Sequence, residues 1–325
     1  MPSASNDPAV QPPEHAPELS LAPDLPVTAA ASRALELGLG AIKFYEPRAL
    51  RGEIEGIHQF RVAVRRLRAA VELFAPVLHG SRVRFYRTEL PLVGHCAGAA
   101  RDADVLQQLI RADSAALEPA IARALIPTLQ ALADTRSAAL REMTRFLQSK
   151  RYARLCERLA PALTHKFPPD VTVRQLAPKL VRSIIRASLR AGSRLTPESP
   201  PTAFHRLRVH LKRLRYALEM LDQLSGRRTA KAVKRLRRMQ DELGVHQDLV
   251  NTGAWIRQLA RAQHQAETLL AAGALLQFIS ERRVKIAARA LRQWKKIEHS
   301  RILNKALDEI AEFAQISGTP TPDQS

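Results

Sequence analysis

Two stretches of this chain carry the same pattern, and that pattern allows few folds. Residues 57–74 read IHQFRVAVRRLRAAVELF and residues 204–221 read FHRLRVHLKRLRYALEML. In the first, His58, Arg61, Arg65, Arg68 and Glu72 recur at three- and four-residue spacing; in the second, His205, Arg208, Lys212, Arg215 and Glu219 do the same. At 100° per residue from His58, the other four fall at about 300°, 340°, 280° and 320°, one longitudinal stripe of a helix. Phe60, Val64, Leu67, Val71 and Phe74 cluster on the opposite side, at about 160–240°. Each segment is therefore a helix with one face fit for packing and the other crowded with like charge. Like charges at this spacing repel one another. A single copy reads equally well as a solvated face with an intrahelical pair such as Arg68–Glu72. Two matched copies point to an anion lying along the stripes.

The rest of the chain also reads as helix. Ala, Leu, Arg, Gln and Glu dominate, apolar residues recur at three and four, and no alternating strand pattern stands out. The spacing predicts helices at about 28–46, 54–78, 82–112, 115–148, 172–193, 201–224, 227–262 and 266–297, with a short one near 300–314. Breaks are expected at Pro47 to Gly56, Gly80, Glu118-Pro119, Lys166 to Asp170 and Thr196 to Pro201. The two His-x-x-Arg strings lie 147 residues apart, and Gly98 to Asp102 matches Gly244 to Asp248 at an offset of 146. Nearly equal offsets argue for internal duplication. The expected architecture is all-α, two four-helix bundles of long helical hairpins related by a pseudo-twofold axis. Residues 28–314 would be the folded domain, with halves at about 28–150 and 171–314. Residues 1–27, rich in proline, and 315–325 read as disordered tails.

The 51 Lys and Arg against 31 Asp and Glu give a net charge of +20. Asp7, Glu14, Glu18 and Asp24 sit in the N-terminal tail, which has no Lys or Arg, so the folded part is more basic than the whole. That balance implies a polyanionic partner. Cys96 and Cys156 are too few for a disulfide framework or a metal knuckle, and read as small buried hydrophobes. No run of about 18 apolar residues and no signal peptide is visible, so cytoplasmic residence without a membrane is expected.

These strings resemble the CHAD family, the conserved histidine α-helical domain. The resemblance rests on His58-x-x-Arg61 and His205-x-x-Arg208, and on Gly98-x-x-Arg101-Asp102 and Gly244-x-x-Gln247-Asp248, read as a turn in each half. Gln247 departs from the usual Arg or Asn. The resemblance covers about residues 28–314 and implies an inorganic polyphosphate-binding module that is not an enzyme, associated with polyphosphate granules. Relatives fused to a triphosphatase domain carry Glu-x-Glu-x-Lys. The nearest string here, Glu53-Ile54-Glu55-Gly56-Ile57, lacks the lysine, which implies a stand-alone member.

The expected polyphosphate ligands are His58, Arg61, Arg65, Arg66, Arg68, His205, Arg208, Lys212, Arg213 and Arg215, because guanidinium forks bind phosphate oxygens bidentately at all working pH. Arg66 and Arg213, some 80° round the helix, read as groove rim or plain surface. Two further basic stripes would extend the groove or be solvated faces: Lys179, Arg182, Arg186 and Arg190, and then Arg228, Lys231, Lys234, Arg235 and Arg238. Glu72 and Glu219 are expected to orient nearby arginines, and Asp102 and Asp248 to pair with an arginine of the basic helix. No phosphate-binding glycine loop, nucleophile elbow or HExxH string is present, and the surrounding arginines would repel a metal dication. No cofactor or metal is expected. Two alternatives stay open: a nucleic-acid or other polyanion binder, disfavoured by an aromatic content of only 5%, and a phosphoanhydride hydrolase.

Overall fold

A computed structural model describes residues 20–115, 118–159, 170–261 and 265–315. The expected tails at 1–19 and 316–325 lie outside the described residues, as does His264. The described chain is all-α, and among the described residues the sole β-type pairing is an isolated bridge between Pro26 and Thr172. The helices are α1 (Val27–Leu50), α2 (Ile54–Leu73), α3 (Gly80–Ser114), α4 (Pro119–Ala124), α5 (Ile126–Leu147) and α6 (Lys150–Arg158) in the first half. In the second they are α7 (Val173–Gly192), α8 (Pro201–Met220), α9 (Arg227–Ala260), α10 (Ala266–His299) and α11 (Ile302–Gln315).

Packing follows chain order. α1 lies on α2, α2 on α3 and α3 on α5; α7 lies on α8, α8 on α9 and α9 on α10. α2 and α8 start 147 residues apart (54 to 201), as do α3 and α9 (80 to 227). The element order repeats at the offset of the sequence motifs, and the twofold axis remains an expectation. The halves are not two separate cores. One apolar cluster runs from Phe60 and Leu67 of α2 through Leu207 and Leu214 of α8 to Leu303 of α11. A second, smaller one joins Leu106 and Ile110 of α3 to Leu249, Ile256 and Leu275 of α9 and α10.

The periodicity reading of α2 holds residue by residue: Phe60, Val64, Leu67, Val71 and Phe74 are all buried. α1 comes close enough to seat them. A Cβ on Gly38 would stand 2.8 Å from Leu67 Cδ1, so glycine lets the two helices touch.

Several boundaries differ from the sequence reading. Pro47 does not end α1, which runs on to Leu50 and stops at Gly52, the residue with φ of 74°. A proline removes an amide donor but does not prevent a last turn. The long helix expected at 115–148 is split into α4 and α5, and α6 was not anticipated. Ser149 caps α6 by accepting from the Tyr152 amide, and Tyr152 and Leu155 are buried. The glycine strings at 98–102 and 244–248 are not turns but the interiors of α3 and α9.

Residues 20–26 are not tail. Leu21 is buried and its amide donates to Met220 O at 3.1 Å, while Arg174 holds Asp24 through two hydrogen bonds. Proline content alone suggested disorder; a single leucine with a pocket to fill overrides it. Both cysteines are free and half-buried, and burial pushes the Cys96 thiol up to about 12.

α9 has no capping side chain of its own. The Glu309 carboxylate of α11 takes its place, accepting from the amides of Gly226, Arg228 and Thr229 and from the Thr229 hydroxyl at 2.7–3.0 Å. Burial raises the pKa of Glu309, and those hydrogen bonds more than reverse it, leaving it below the usual carboxylate range. Glu309→Ala should cost about 2–4 kcal/mol in urea unfolding, because it strands several donors at once. The loss should shrink as pH falls through the carboxylate range, where the wild-type side chain protonates. An equal loss at pH 3 and pH 7 would contradict this account.

Candidate functional site

The two motif helices pack against each other, and their charged stripes meet. Arg61 and Arg65 of α2 lie near enough to Arg208 and Lys212 of α8 to perturb both, and Arg68 lies beside Arg213. Lys212 feels the effect most. Burial, then Arg65, Arg208, Arg215 and Arg61, pull its ammonium from an ordinary 10.5 to about 6. The His58 pKa is lowered by burial and by Arg101, Arg65 and Arg61. The Nε atoms of Arg65, Arg208 and Arg215 are buried with no hydrogen-bond partner. Buried donors of this kind are uncommon, and each is costly unless an acceptor arrives.

Two carboxylates from the long neighbouring helices enter the cluster. Arg61 Nη1 donates to Gly98 O and to Asp102 Oδ1 of α3, both at 2.9 Å. The sequence expectation for Asp102 is met, and Gly98 takes part through its carbonyl oxygen. Asp248 of α9 is half-buried beside Arg208. Burial raises its pKa, Arg208 lowers it and Asp102 raises it, with a net upward shift. The two aspartates therefore approach each other from opposite halves. They leave the cations of the cluster in excess.

The halves differ in detail. His205 Nδ1 pairs with Gln247 Oε1 at 2.8 Å, and Gln247 Nε2 donates to Asn251 Oδ1. At the matching place of the first half stands Arg101, which adds a cation near His58. Gln247 is thus a partner for the histidine, and Arg101 is a site residue that the sequence reading quoted only as part of a string. Arg87 was also missed. It holds Glu72 bidentately at 2.8–3.0 Å, and with Arg68, Glu72 and Arg213 lines a cavity of about 420 Å³.

Glu72 and Glu219 do orient arginines, though mainly those of α3 and α9. Glu219 accepts from Arg237 Nη2 at 2.9 Å, with Arg215 of its own helix at 3.6 Å. The intrahelical Arg68–Glu72 pair is replaced by Arg87–Glu72, since α3 supplies a better-placed fork.

The outer stripes separate. Arg66 leaves the main rank and lines a different cavity of about 650 Å³ with Lys234, Arg238, Arg237 and Glu219. Lys231 is exposed on α9. Arg228 pairs with Glu312 at 2.8 Å, and Arg235 donates to Lys296 O and Ser300 Oγ, so both tie α9 to its neighbours and do not extend the main rank. Their stripe was read from one helix, and the partners come from α10 and α11. Lys179, Arg182 and Arg186 are exposed on α7, whereas Arg190 joins Arg206 and His210 of α8. His246 is buried, stacked on Phe204 with centroids 4.6 Å apart, and held neutral by a pKa lowered to about 4 by burial and Arg283. Among the described residues there is no group of three or more His, Cys, Asp or Glu able to hold a metal, and no helix long and apolar enough to cross a membrane.

An all-helical protein with two facing cationic helices is the class that fold and site define. The CHAD domain model matches residues 33–257, and this chain belongs to the CHAD family. The crystal structure of the CHAD domain from the plant Ricinus communis superposes with a TM-score of 0.70 at 27% identity, covering 87% of this chain and 97% of that one. PptA from Streptomyces chartreusis shares the fold, with a TM-score of 0.68 at 19% identity over 85% of this chain and 100% of that one. Uncharacterised proteins from two strains of Mycobacterium tuberculosis are 28% identical over 229 residues, 67% of this chain. The match spans only 43% of their length.

Lys212 loads the resting protein with a cost. Its folded pKa lies below its unfolded value, so the unfolded chain binds more protons between about pH 6 and 10.5 and stability rises with pH through that window. Lys212→Met, which keeps length and removes the ammonium, should raise the melting temperature of the ligand-free protein at pH 7 by a few degrees, about 1 kcal/mol or more. The gain should fade towards pH 10. A lower melting temperature at pH 7 would show that Lys212 is not under electrostatic strain.

Proposed function

We propose that this protein binds inorganic polyphosphate along the basic cleft between α2 and α8 and does not act on it as an enzyme. The observation that carries the reading is the meeting of two cationic stripes in which three buried guanidinium Nε atoms lack an acceptor. A chain of phosphates supplies what such a cleft needs: repeated oxygens, a negative charge on every unit and enough flexibility to follow rungs spaced about 5 Å apart. CHAD domains are linked to polyphosphate binding, which supports the same reading. Arg65, Arg68, Arg208, Lys212 and Arg215 are the direct ligands in this account. Arg61 is held through Nη1 by Asp102 and Gly98, and its other donors are assigned to the ligand. His58 and His205 add ring donors. The proposed setting is the cytoplasm, at polyphosphate granules, with the cleft holding the protein on the polymer.

Nucleic acid is the rival ligand. It carries one phosphate charge per unit but needs stacking partners for its bases, and the ligands named above include no Phe, Tyr or Trp. Hydrolysis is the rival activity, favoured by one observation, the approach of Asp102 to Asp248 inside the cationic cluster. Release of orthophosphate with magnesium that disappears in Asp102→Asn and Asp248→Asn would establish it.

Binding to long-chain polyphosphate should be tight at low salt, and log Kd should rise about linearly with log salt as counterions are released. Charge reversal of Arg61, Arg65, Arg208 and Lys212 together should abolish it, and the milder Arg65→Gln should weaken it by about tenfold. Unchanged affinity in these folded variants refutes the assignment. DNA displacing polyphosphate at equal phosphate concentration would transfer the site to nucleic acid.

Protonation should be coupled to binding. Phosphate beside Lys212 raises its pKa from about 6, so at pH 7.5 binding takes up a proton. Affinity should fall as pH rises above 6, by up to about tenfold per unit from this group. Calorimetry in buffers of different ionisation enthalpy measures the uptake, and Lys212→Met should reduce it. Uptake that is the same in that variant would mean that Lys212 is not in the cleft.

A further inference from the structure

α8 carries a second row of basic side chains that the motif does not include. Arg206, His210 and Arg213 lie at about 80–140° from His205, whereas Arg208, Lys212 and Arg215 lie at about 280–340°. Arg213 borders the cavity it shares with Arg68 and Arg87, while Arg206 and His210 of that row face α7. There Arg190, Arg194, Arg206 and His210 converge on a cavity of about 210 Å³ whose remaining lining is Ala187, Ala191 and Ala203. That is roughly seven water volumes at ~30 Å³ each. No carboxylate lines it. The three alanines add little bulk to the space that the three arginines and His210 border. The crowding also acts on His210, whose pKa is lowered by burial and then by Arg213, Arg190 and Arg206.

The first half lacks this arrangement. In the positions 147 residues earlier, Gln59 replaces Arg206 and Ala63 replaces His210. Both line a cavity of only about 40 Å³ between α1 and α2. The cationic site is therefore not a by-product of the helical pattern. It occurs in one half only, where small side chains and cations coincide.

We propose that the α7–α8 cavity is a second anion site, separate from the α2–α8 cleft, that takes a short phosphate oligoanion of two or three phosphoryl groups. Three guanidinium forks match several phosphate oxygens at once, and the imidazole adds one more donor. The cavity admits a compact polyanion but offers no length for a long chain to run through. The ligand is either a free oligophosphate or the end of a longer polymer, since the terminal phosphoryl group carries more charge than an internal one.

Pyrophosphate is the probe. Titrated into wild-type protein, it should shift the ring resonances of His210. The shift should survive Arg61→Glu/Arg65→Glu/Arg208→Glu/Lys212→Glu, which disables the cleft. Ala203→Glu, which puts a carboxylate into the cavity at the first turn of α8, where helices favour one, should lower pyrophosphate affinity by about tenfold or more. Arg194→Ala/Arg206→Ala/His210→Gln should remove the binding seen by calorimetry. A His210 ring that ignores pyrophosphate, or binding that Ala203→Glu leaves unchanged, overturns the proposal. Failure of the cleft assignment is read separately, as unchanged affinity for long polyphosphate in the quadruple variant. Saturating pyrophosphate then identifies the source: weaker binding of long polyphosphate marks a chain end, and unchanged binding marks a free oligophosphate.

Discussion

The repulsion between the stripes of α2 and α8 is the constraint around which the rest of this structure is arranged. Like charges brought together under partial burial push helices apart; at Lys212, burial first and the neighbouring arginines second lower the pKa to about 6. What holds the helices in place is on their other faces. Phe60, Leu67 and Val71 of α2 and Leu207, Leu211 and Leu214 of α8 are buried in one continuous core. Burial of a single large apolar side chain contributes about 1.5–3 kcal/mol, so a few of them outweigh a repulsion of a kcal/mol or so between partly solvated charges. The core supplies the stability, and the cleft uses part of it to keep cations unpaired.

Carboxylates are distributed in keeping with that arrangement. Glu72 and Glu219 sit at the far end of each stripe and are claimed by Arg87 and Arg237 from the next helix. Glu309 is used to cap α9. Asp102 fixes one arginine. A protein that needed only a stable helix pair would match each cation with an acid; here Asp248, beside Arg208 and Lys212, is outnumbered by the cations around it, and the other acids tie helices together around the cleft.

Much of this was legible in the sequence because it depends on period alone. The 3.6-residue repeat separates Phe60, Val64 and Leu67 from Arg61, Arg65 and Arg68 without reference to any other helix, and the structure keeps that separation. What depends on a neighbouring helix was not legible. Arg228 and Arg235 look like Lys231 and Lys234 in a helical wheel, but Glu312 and Ser300 sit beside the first pair only. Arg101 was visible as a letter in a string, and its nearness to His58 comes from the packing of α2 on α3. The strap at 20–26 was misread as tail because composition averages over residues, whereas one buried Leu21 and one Asp24–Arg174 pair are enough to anchor it.

The departures from symmetry locate where the two halves have different tasks. Where Arg101 stands in the first half, Gln247 stands in the second and bonds His205, trading a cation for a fixed imidazole. Where Gln59 and Ala63 stand in the first half, Arg206 and His210 stand in the second, beside Arg190. Each exchange keeps the apolar face intact, because Phe60 and Leu207, and Leu67 and Leu214, occupy matching buried positions. The polar faces are therefore free to diverge without disturbing the core. The second half thus spreads its cations over two sides of α8, whereas on α2 Arg66 is the one basic residue off the main stripe. Arg213 links the two sides: it lies beside Arg68 of the cleft and beside His210 of the second cavity.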